Sequence, residues 1–318
     1  MTVRVPAKLN LQLAVGPPRA DGYHDLVTVF HAVSLFDQVA VEPAGRDGIT
    51  VTGEGADRVP ADQDNLALRA IAALRAAVPD RGTGAVHVTI AKRIPVAAGL
   101  AGGSADAAGA LVACNELWAT GLTQSQLCGI GATVGSDVAF ALLGGTAVGR
   151  GRGDQLTPAL APATQYHWVL AFADGQLSTP AVYAALDRLR ASRNEDPATA
   201  TATAAGHVPA APAEPDLDPA LMSALRAGDA VRVGRRLSND LQPAAVSLFP
   251  ALRKTLTAGL ELGALGALVA GSGPTCVFLA ANAERALELA VSLSGAGVCR
   301  SVARVSGPAP GGAVMSAG

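Results

Sequence analysis

Aromatic side chains are scarce in this 318-residue chain, at 3%, and charged ones make up only 16%. The 24 lysines and arginines are scattered, no aromatics interleave with them, and the net charge is −2. That leaves no electrostatic footprint for nucleic acid or an anionic membrane. Cysteine is nearly absent: Cys114, Cys128, Cys276 and Cys299 are far apart, with no C-x-x-C and no histidine at metal-ligand spacing. A disulfide framework and a zinc site are thereby excluded, and the four read as buried thiols of a reducing cytosol. The first fifteen residues carry no continuous apolar segment of the secretory kind. One long uncharged run, 262–283, is broken by GSGPTC and reads as strand–turn–strand rather than a membrane span. The expected protein is soluble and cytoplasmic. Two familiar phosphate loops are missing as well: G-x-x-x-x-G-K-[ST] occurs nowhere, and the glycines at 99, 102 and 103 do not fit G-x-G-x-x-G.

What the chain has in quantity is alanine, valine, leucine and glycine, half of it being hydrophobic. This suits close-packed helices on sheets and one large or two moderate domains. The alternation in residues 2–15 predicts a strand carrying Lys8 and Asn10 on one face. A turn at 16–26, punctuated by Pro17, Pro18 and Asp21–Gly22, presents Tyr23 and His24. Strands are predicted at 27–34, 38–42, 49–52 and 86–90, with an amphipathic helix at 65–77. An early strand-rich layer followed by helices predicts an α+β fold. Further on the pattern predicts helices at 123–133, 178–189, 219–227, 230–237, 244–262 and 283–293. Strands are predicted at 166–171, 298–305 and twice within 267–280, with a basic glycine-rich turn ending 144–153 and a frayed tail. Residues 194–219, rich in Pro, Ala and Thr, have little to bury and read as a mobile insertion.

The chain is organised around residues 95–111, PVAAGLAGGSADAAGAL. Small side chains let the backbone there turn tightly and approach a ligand, and an alanine-rich helix is predicted from about Ser104 to Trp118. A glycine-rich turn feeding a helix start directs free N–H groups and a partial positive charge at whatever occupies the turn, and phosphate suits both. Tight helix packing alone would also account for such a stretch. Asp137, in GSDVAF, is either a helix cap or a carboxylate with chemistry to do.

Three separated segments decide between these readings. PAKLNLQL near the start, P-x-A-A-G-L-A-G-G-S-A-D-A-A in the middle and AGSGPTCVF near the end resemble the three motifs of the GHMP small-molecule kinases. DGYHDL (21–26), GSDVAF (135–140), GGTAVGRGRGD (144–154) and NDLQP (239–243) are similar to segments of one branch. That branch phosphorylates the 2-hydroxyl of a cytidine-diphosphate polyol in non-mevalonate isoprenoid synthesis. The resemblance spans nearly the whole chain and implies a ribosomal-protein-S5-like N-terminal domain (1–160) and a ferredoxin-like C-terminal one (161–318), with the cleft between. A homoserine- or mevalonate-type GHMP kinase is a second reading, against which DGYHDL speaks. A fold-mate without catalysis is a third, against which the presence of both Lys8 and Asp137 speaks.

The resemblance also assigns roles. Pro95, Val96, Ala97, Ala98, Gly99 and Leu100, continuing through Ala101, Gly102, Gly103, Ser104 and Ala105, would wrap the triphosphate of ATP, with Asn65 near its base. Magnesium is expected with the ATP, its ligands unknown. Asp137 would be the base for the alcohol and Lys8 the catalytic lysine, since a cation within about 4–6 Å favours the charged carboxylate and steadies developing negative charge. Tyr23, His24 and Tyr183 would hold the cytosine, an aromatic face being worth about 1–3 kcal/mol to a nucleobase. Thr179 and Asn10 are weaker substrate contacts. Ala101, Ala105, Pro274 and Gln242 depart from the family pattern; alanine in the loop is harmless where φ is negative. Oligomeric state is left open.

Overall fold

The structure is a computed structural model and describes residues 1–159, 164–195 and 214–315. In the first half the strands are β1 (Thr2–Pro18), β2 (His24–Pro43), β3 (Gly48–Gly53), β4 (Val86–Lys92), β5 (Thr146–Gly151) and β6 (Gln155–Pro158). The helices there are α1 (Leu66–Ala77), α2 (Gly102–Leu117), α3 (Gln124–Val134) and α4 (Val138–Leu143). The second half adds β7 (Tyr166–Phe172), α5 (Thr179–Glu195), α6 (Pro219–Ala227), α7 (Ala230–Gly234), β8 (Ser238–Asn239), α8 (Gln242–Leu248) and α9 (Ala251–Glu261). It closes with β9 (Gly266–Val269), β10 (Cys276–Ala280), α10 (Ala283–Gly295), β11 (Ser301–Gly307) and β12 (Ala313–Val314).

Two sheets result. The larger runs β12-β1-β2-β4-β3, with β5 and then β6 continuing from the other end of β2 and β8 lying parallel to β1. The smaller runs β11-β7-β10-β9, antiparallel throughout. Ranked by chain order this is 4-1-3-2, the ferredoxin-like arrangement. The α+β expectation therefore holds. Alanine-rich α2 is buried along most of its length, and it sits close to the large sheet because Gly109 has no Cβ: one would come within 2.7 Å of Val39. Each missing side-chain atom at such a contact is a gain in backbone approach and a loss in helix propensity. Among the described residues no helix is long and apolar enough to cross a membrane.

Several expectations are corrected. The strands predicted at 27–34 and 38–42 are one, β2, whose pairing with β1 passes through a register shift opposite Pro6/Ala7, so a bulge rather than a turn absorbs the break in pattern. The predicted helix at 244–262 is two, because Pro250 has no N–H to continue α8 and instead caps α9. The helix predicted at 230–237 ends at Gly234, and that predicted at 178–189 runs on to Glu195. The tail is not frayed as far as it is described: Val314 pairs with Val3, and Ala309 is buried. Of the four cysteines, all free, only Cys114 and Cys276 are buried; Cys128 and Cys299 are half-buried. In the predicted insertion, residues 196–213 lie outside the described residues.

Candidate active site

Helix α2 begins two residues before the predicted Ser104, at Gly102, because Ala101 takes up a left-handed conformation (φ 59°) that turns the chain into the helix. Ala97 does the same at φ 55°. The condition on which alanine was harmless in the loop thus fails at Ala101, where an L side chain carries strain of about 1–2 kcal/mol; Ala105 lies inside α2 and meets it.

The loop between β4 and α2 is held at both ends. The carboxylate of Asp37 accepts the main-chain N–H groups of Arg93 (2.6 Å) and Ile94 (2.8 Å). The Lys92 ammonium donates to Asp37 (2.5 Å) and to Asp106 in the first turns of α2 (2.7 Å). All three side chains are buried. Burial pulls the Lys92 ammonium down and the carboxylates of Asp106 and Asp37 more than reverse it; burial pushes the Asp106 carboxyl up well above the ordinary range, against the pull of Lys92. The sequence reading passed over this clasp. Its one signal was an aspartate among the alanines that open α2, where an acid has to be paired if it is to be buried.

Eight of the eleven predicted loop residues wall a cavity of about 470 Å³; Leu100, Ser104 and Ala105 do not. Leu100 instead points into the core, and its carbonyl oxygen accepts the main-chain N–H of Lys8. Motif one is thereby tied to motif two. Motif three touches both: a Cβ on Gly99 (φ 77°) would overlap the Ala270 carbonyl oxygen, and one on Gly271 would stand 3.3 Å from the Lys8 ammonium. Asn239, in NDLQP, fixes that turn by donating to the carbonyl oxygens of Val269 and Gly271, 2.7 Å each. Gln242 accepts from the Val269 N–H at 2.9 Å, as the usual glutamate also would.

Lys8 and Asp137 share the cavity wall, Nζ to Oδ2 3.8 Å. A lysine on a strand ordinarily reaches water. Lys8 is instead buried, donating to Asn10 Oδ1 (2.7 Å); Asn10 donates to Thr28 (2.8 Å), and Thr28 to the Gln12 carbonyl oxygen (2.7 Å). This chain of bonds leaves the ammonium one direction, towards Asp137 and the cavity. Asp137 stands at the start of α4 but makes no capping bond with its side chain, which frees the carboxylate.

At the other end of the cavity, Thr179, Tyr183 and Asp187 recur every four residues on one face of α5. Thr179 exchanges a hydrogen bond with Ser272 (2.8 Å), the Tyr183 ring lies 5.0 Å from that of His24, and Asp187 meets His24 Nε2 at 2.9 Å. Burial, and secondly the charge of Asp137, push the Tyr183 phenol upward. Tyr183 and Thr179 line the cavity; His24 is buried behind Tyr183, and Tyr23 is 57% exposed beneath the Arg152 guanidinium. Asn65 lines the opposite wall, where it caps α1 by accepting from Ala67 and donates to the Pro60 carbonyl oxygen. Arg58, Arg152 and Ser272 also line the cavity and were missed, because arginines in turns and a serine in a glycine-rich turn carry no distinguishing pattern.

Comparison with known proteins shows the family and the fold. The GHMP kinases N terminal domain family matches residues 65–145 and the GHMP kinases C terminal family residues 221–299. The chain is 53% identical over 323 residues to a 4-diphosphocytidyl-2-C-methyl-D-erythritol kinase of Thermobifida fusca, covering 99% of this chain and 98% of that one. It is 53% identical over 320 residues to the protein of that name from Mycolicibacterium smegmatis, covering 100% and 93%. A crystal structure of 4-(cytidine 5'-diphospho)-2C-methyl-D-erythritol kinase superposes with a TM-score of 0.72 at 32% identity, over 96% of this chain and 98% of that one. A homoserine kinase from Cytophaga hutchinsonii, at TM-score 0.69, 19% identity and coverage of 96% and 93%, shares the fold.

Proposed function

The chain belongs to the 4-diphosphocytidyl-2-C-methyl-D-erythritol kinases of the GHMP family, ATP-dependent phosphotransferases of isoprenoid precursor synthesis, and from that premise we propose how its residues divide the work. Its domains divide near residue 160, with the cavity lined from both halves. Moving a γ-phosphoryl group to an alcohol asks mainly for positioning and charge neutralisation. The loop residues 95–103 and the start of α2 supply main-chain N–H groups and a helix dipole to the polyphosphate. Asn65, its polar atoms engaged in capping, shapes the wall beside the base. Magnesium would come with the ATP, its charge shared between the phosphates and a single carboxylate of the cavity wall. Asp106, on the cavity wall, has one carboxylate oxygen without a hydrogen-bond partner to offer it. Bound there, the ion would neutralise charge on the polyphosphate.

Asp137 takes the proton of the 2-hydroxyl as its oxygen bonds to the γ-phosphorus and the bond to the β-phosphate oxygen breaks, releasing ADP. Lys8, held by Asn10, faces the charge that develops on the transferred group. Tyr183, backed by His24, and Tyr23, which lies outside the cavity lining against Arg152, hold the cytosine. A cytosolic location is in keeping with the four free thiols. The observation that carries the reading is the 3.8 Å approach of Lys8 to Asp137 on the wall that also bears the glycine loop.

Steady-state kinetics with ATP and the cytidine-diphosphate polyol test it, with homoserine and mevalonate as competing acceptors. Asp137→Asn should lose roughly 10²–10⁴-fold in kcat, the usual worth of a general base. Turnover of that variant at the wild-type rate would remove Asp137 from the role.

A further inference from the structure

The glycine-rich turn after β5 took no part in that account, yet it puts a cation on the cavity wall. Gly151 and Gly153 both adopt left-handed conformations (φ 66° and 91°), so the G-R-G segment folds back on itself with Arg152 at its tip. β5 pairs with β2 in a register that sets Gly151 opposite Leu26, and this brings the tip beside the turn that carries Tyr23. The Arg152 guanidinium lies 5.8 Å from the Tyr23 ring centre, and Asp154 accepts from one of its terminal nitrogens at 2.9 Å. Its side chain remains 44% exposed and lines the same cavity as Lys8, Asp137 and Tyr183.

Among the described residues four cations line that cavity, and their partners separate them. Lys92 is enclosed by two buried carboxylates, and Lys8 is committed to Asn10 and Asp137. Arg58 sits beside Pro60 and Asn65, on the wall assigned to the nucleotide donor. Arg152 is the cation on the Tyr23 side. With the cytosine at Tyr183 and Tyr23 and the reacting hydroxyl at Asp137, the diphosphate that joins them has to run along the wall between. A planar guanidinium with several N–H donors matches adjoining phosphates in geometry as well as charge, and one oriented by stacking and by a carboxylate loses less freedom on binding.

Resting on the acceptor assignment above, we propose that Arg152 is a specificity-determining residue that binds the diphosphate of the cytidine-diphosphate acceptor. The test is calorimetric titration with cytidine diphosphate and with cytidine, the donor site saturated with a non-hydrolysable ATP analogue, alongside steady-state kinetics. Arg152→Gln should weaken cytidine diphosphate tenfold or more and leave cytidine within twofold. KM for the acceptor should rise in parallel while KM for ATP holds, and Arg152→Lys should recover part of the loss. If cytidine weakens equally, Arg152 merely props Tyr23 and the proposal fails. It fails too if cytidine diphosphate is unaffected, or if KM for ATP rises instead. A wild-type protein that binds cytidine diphosphate better than cytidine but does not phosphorylate the polyol would sink the assigned activity and leave the anion site standing.

Discussion

Gly99 and Ala270, far apart in sequence, leave no space between them: a single methyl on the first would occupy the carbonyl oxygen of the second. The phosphate loop is thus braced from behind by the third motif, and its position depends on both. Gly99→Ala should displace the loop and lower kcat/KM for ATP by about 10²-fold, as small misplacements of positioning groups do. Ala101→Gly should do the reverse to stability. Relief of a left-handed alanine set against the extra freedom of an unfolded glycine predicts a change from zero to about 1 kcal/mol in its favour. Urea unfolding of both variants, with ATP kinetics, checks the pair; a tolerated Gly99→Ala would show that the brace is dispensable.

Lys92 stands between Asp37 and Asp106, all three out of water. Lys92→Met leaves two buried carboxylates facing each other and should cost about 3–5 kcal/mol. Asp106→Asn should cost well under half of that, because Lys92 keeps Asp37 and an amide oxygen can still accept. Equal losses in the two variants, measured by denaturant titration, would mean that the clasp acts through packing alone.

His31 predicts an acid limit to stability. Burial lowers its imidazole from 6.5 to about 3, against a smaller lift from the Gly307 backbone, and Nδ1 meets the Thr146 hydroxyl at 2.9 Å. Below pH 6.5 the unfolded chain binds a proton that the native chain refuses until about pH 3. The contribution is therefore complete above pH 6.5 and drains away as pH falls through that window, by about 2 kcal/mol on reaching pH 5. His31→Gln should flatten the profile between pH 7.5 and 5. An unchanged slope would assign the acid sensitivity to other groups.

Asn239 holds two buried carbonyl oxygens and caps the Leu241 N–H. Asn239→Ala strands all three groups and should destabilise by roughly 2–4 kcal/mol. Because one of those carbonyls belongs to Gly271, beside Lys8, kcat should fall further than unfolding explains, even at temperatures where the variant is fully folded. Wild-type kcat in a destabilised protein would confine Asn239 to the fold.

The loop, Lys8, Asp137 and Tyr183, which share one cavity wall, could be picked out because each sits in a segment that resembles a known family. The clasp was not: Lys92 followed by Arg93 looks like any basic pair at a strand end, and Asp37 is remote from it in sequence. The backbone conformation at Ala101 was not legible, since alanine gives no sign that a position is left-handed. Residues 27–43 looked like two strands because a bulge interrupts alternation much as a turn does. Arg152 was seen as part of a basic turn, and only the pairing of β5 with β2 reveals what that turn faces.

β12 and β8 come from the second half of the chain yet both pair with the functional strand β1, along the edge that β2 leaves open, in the sheet that the first half builds. Two halves laced together in this way are coupled across the boundary between them. Scanning calorimetry should accordingly find one endotherm in place of two, and neither half expressed by itself should recover ATP binding when mixed after separate purification.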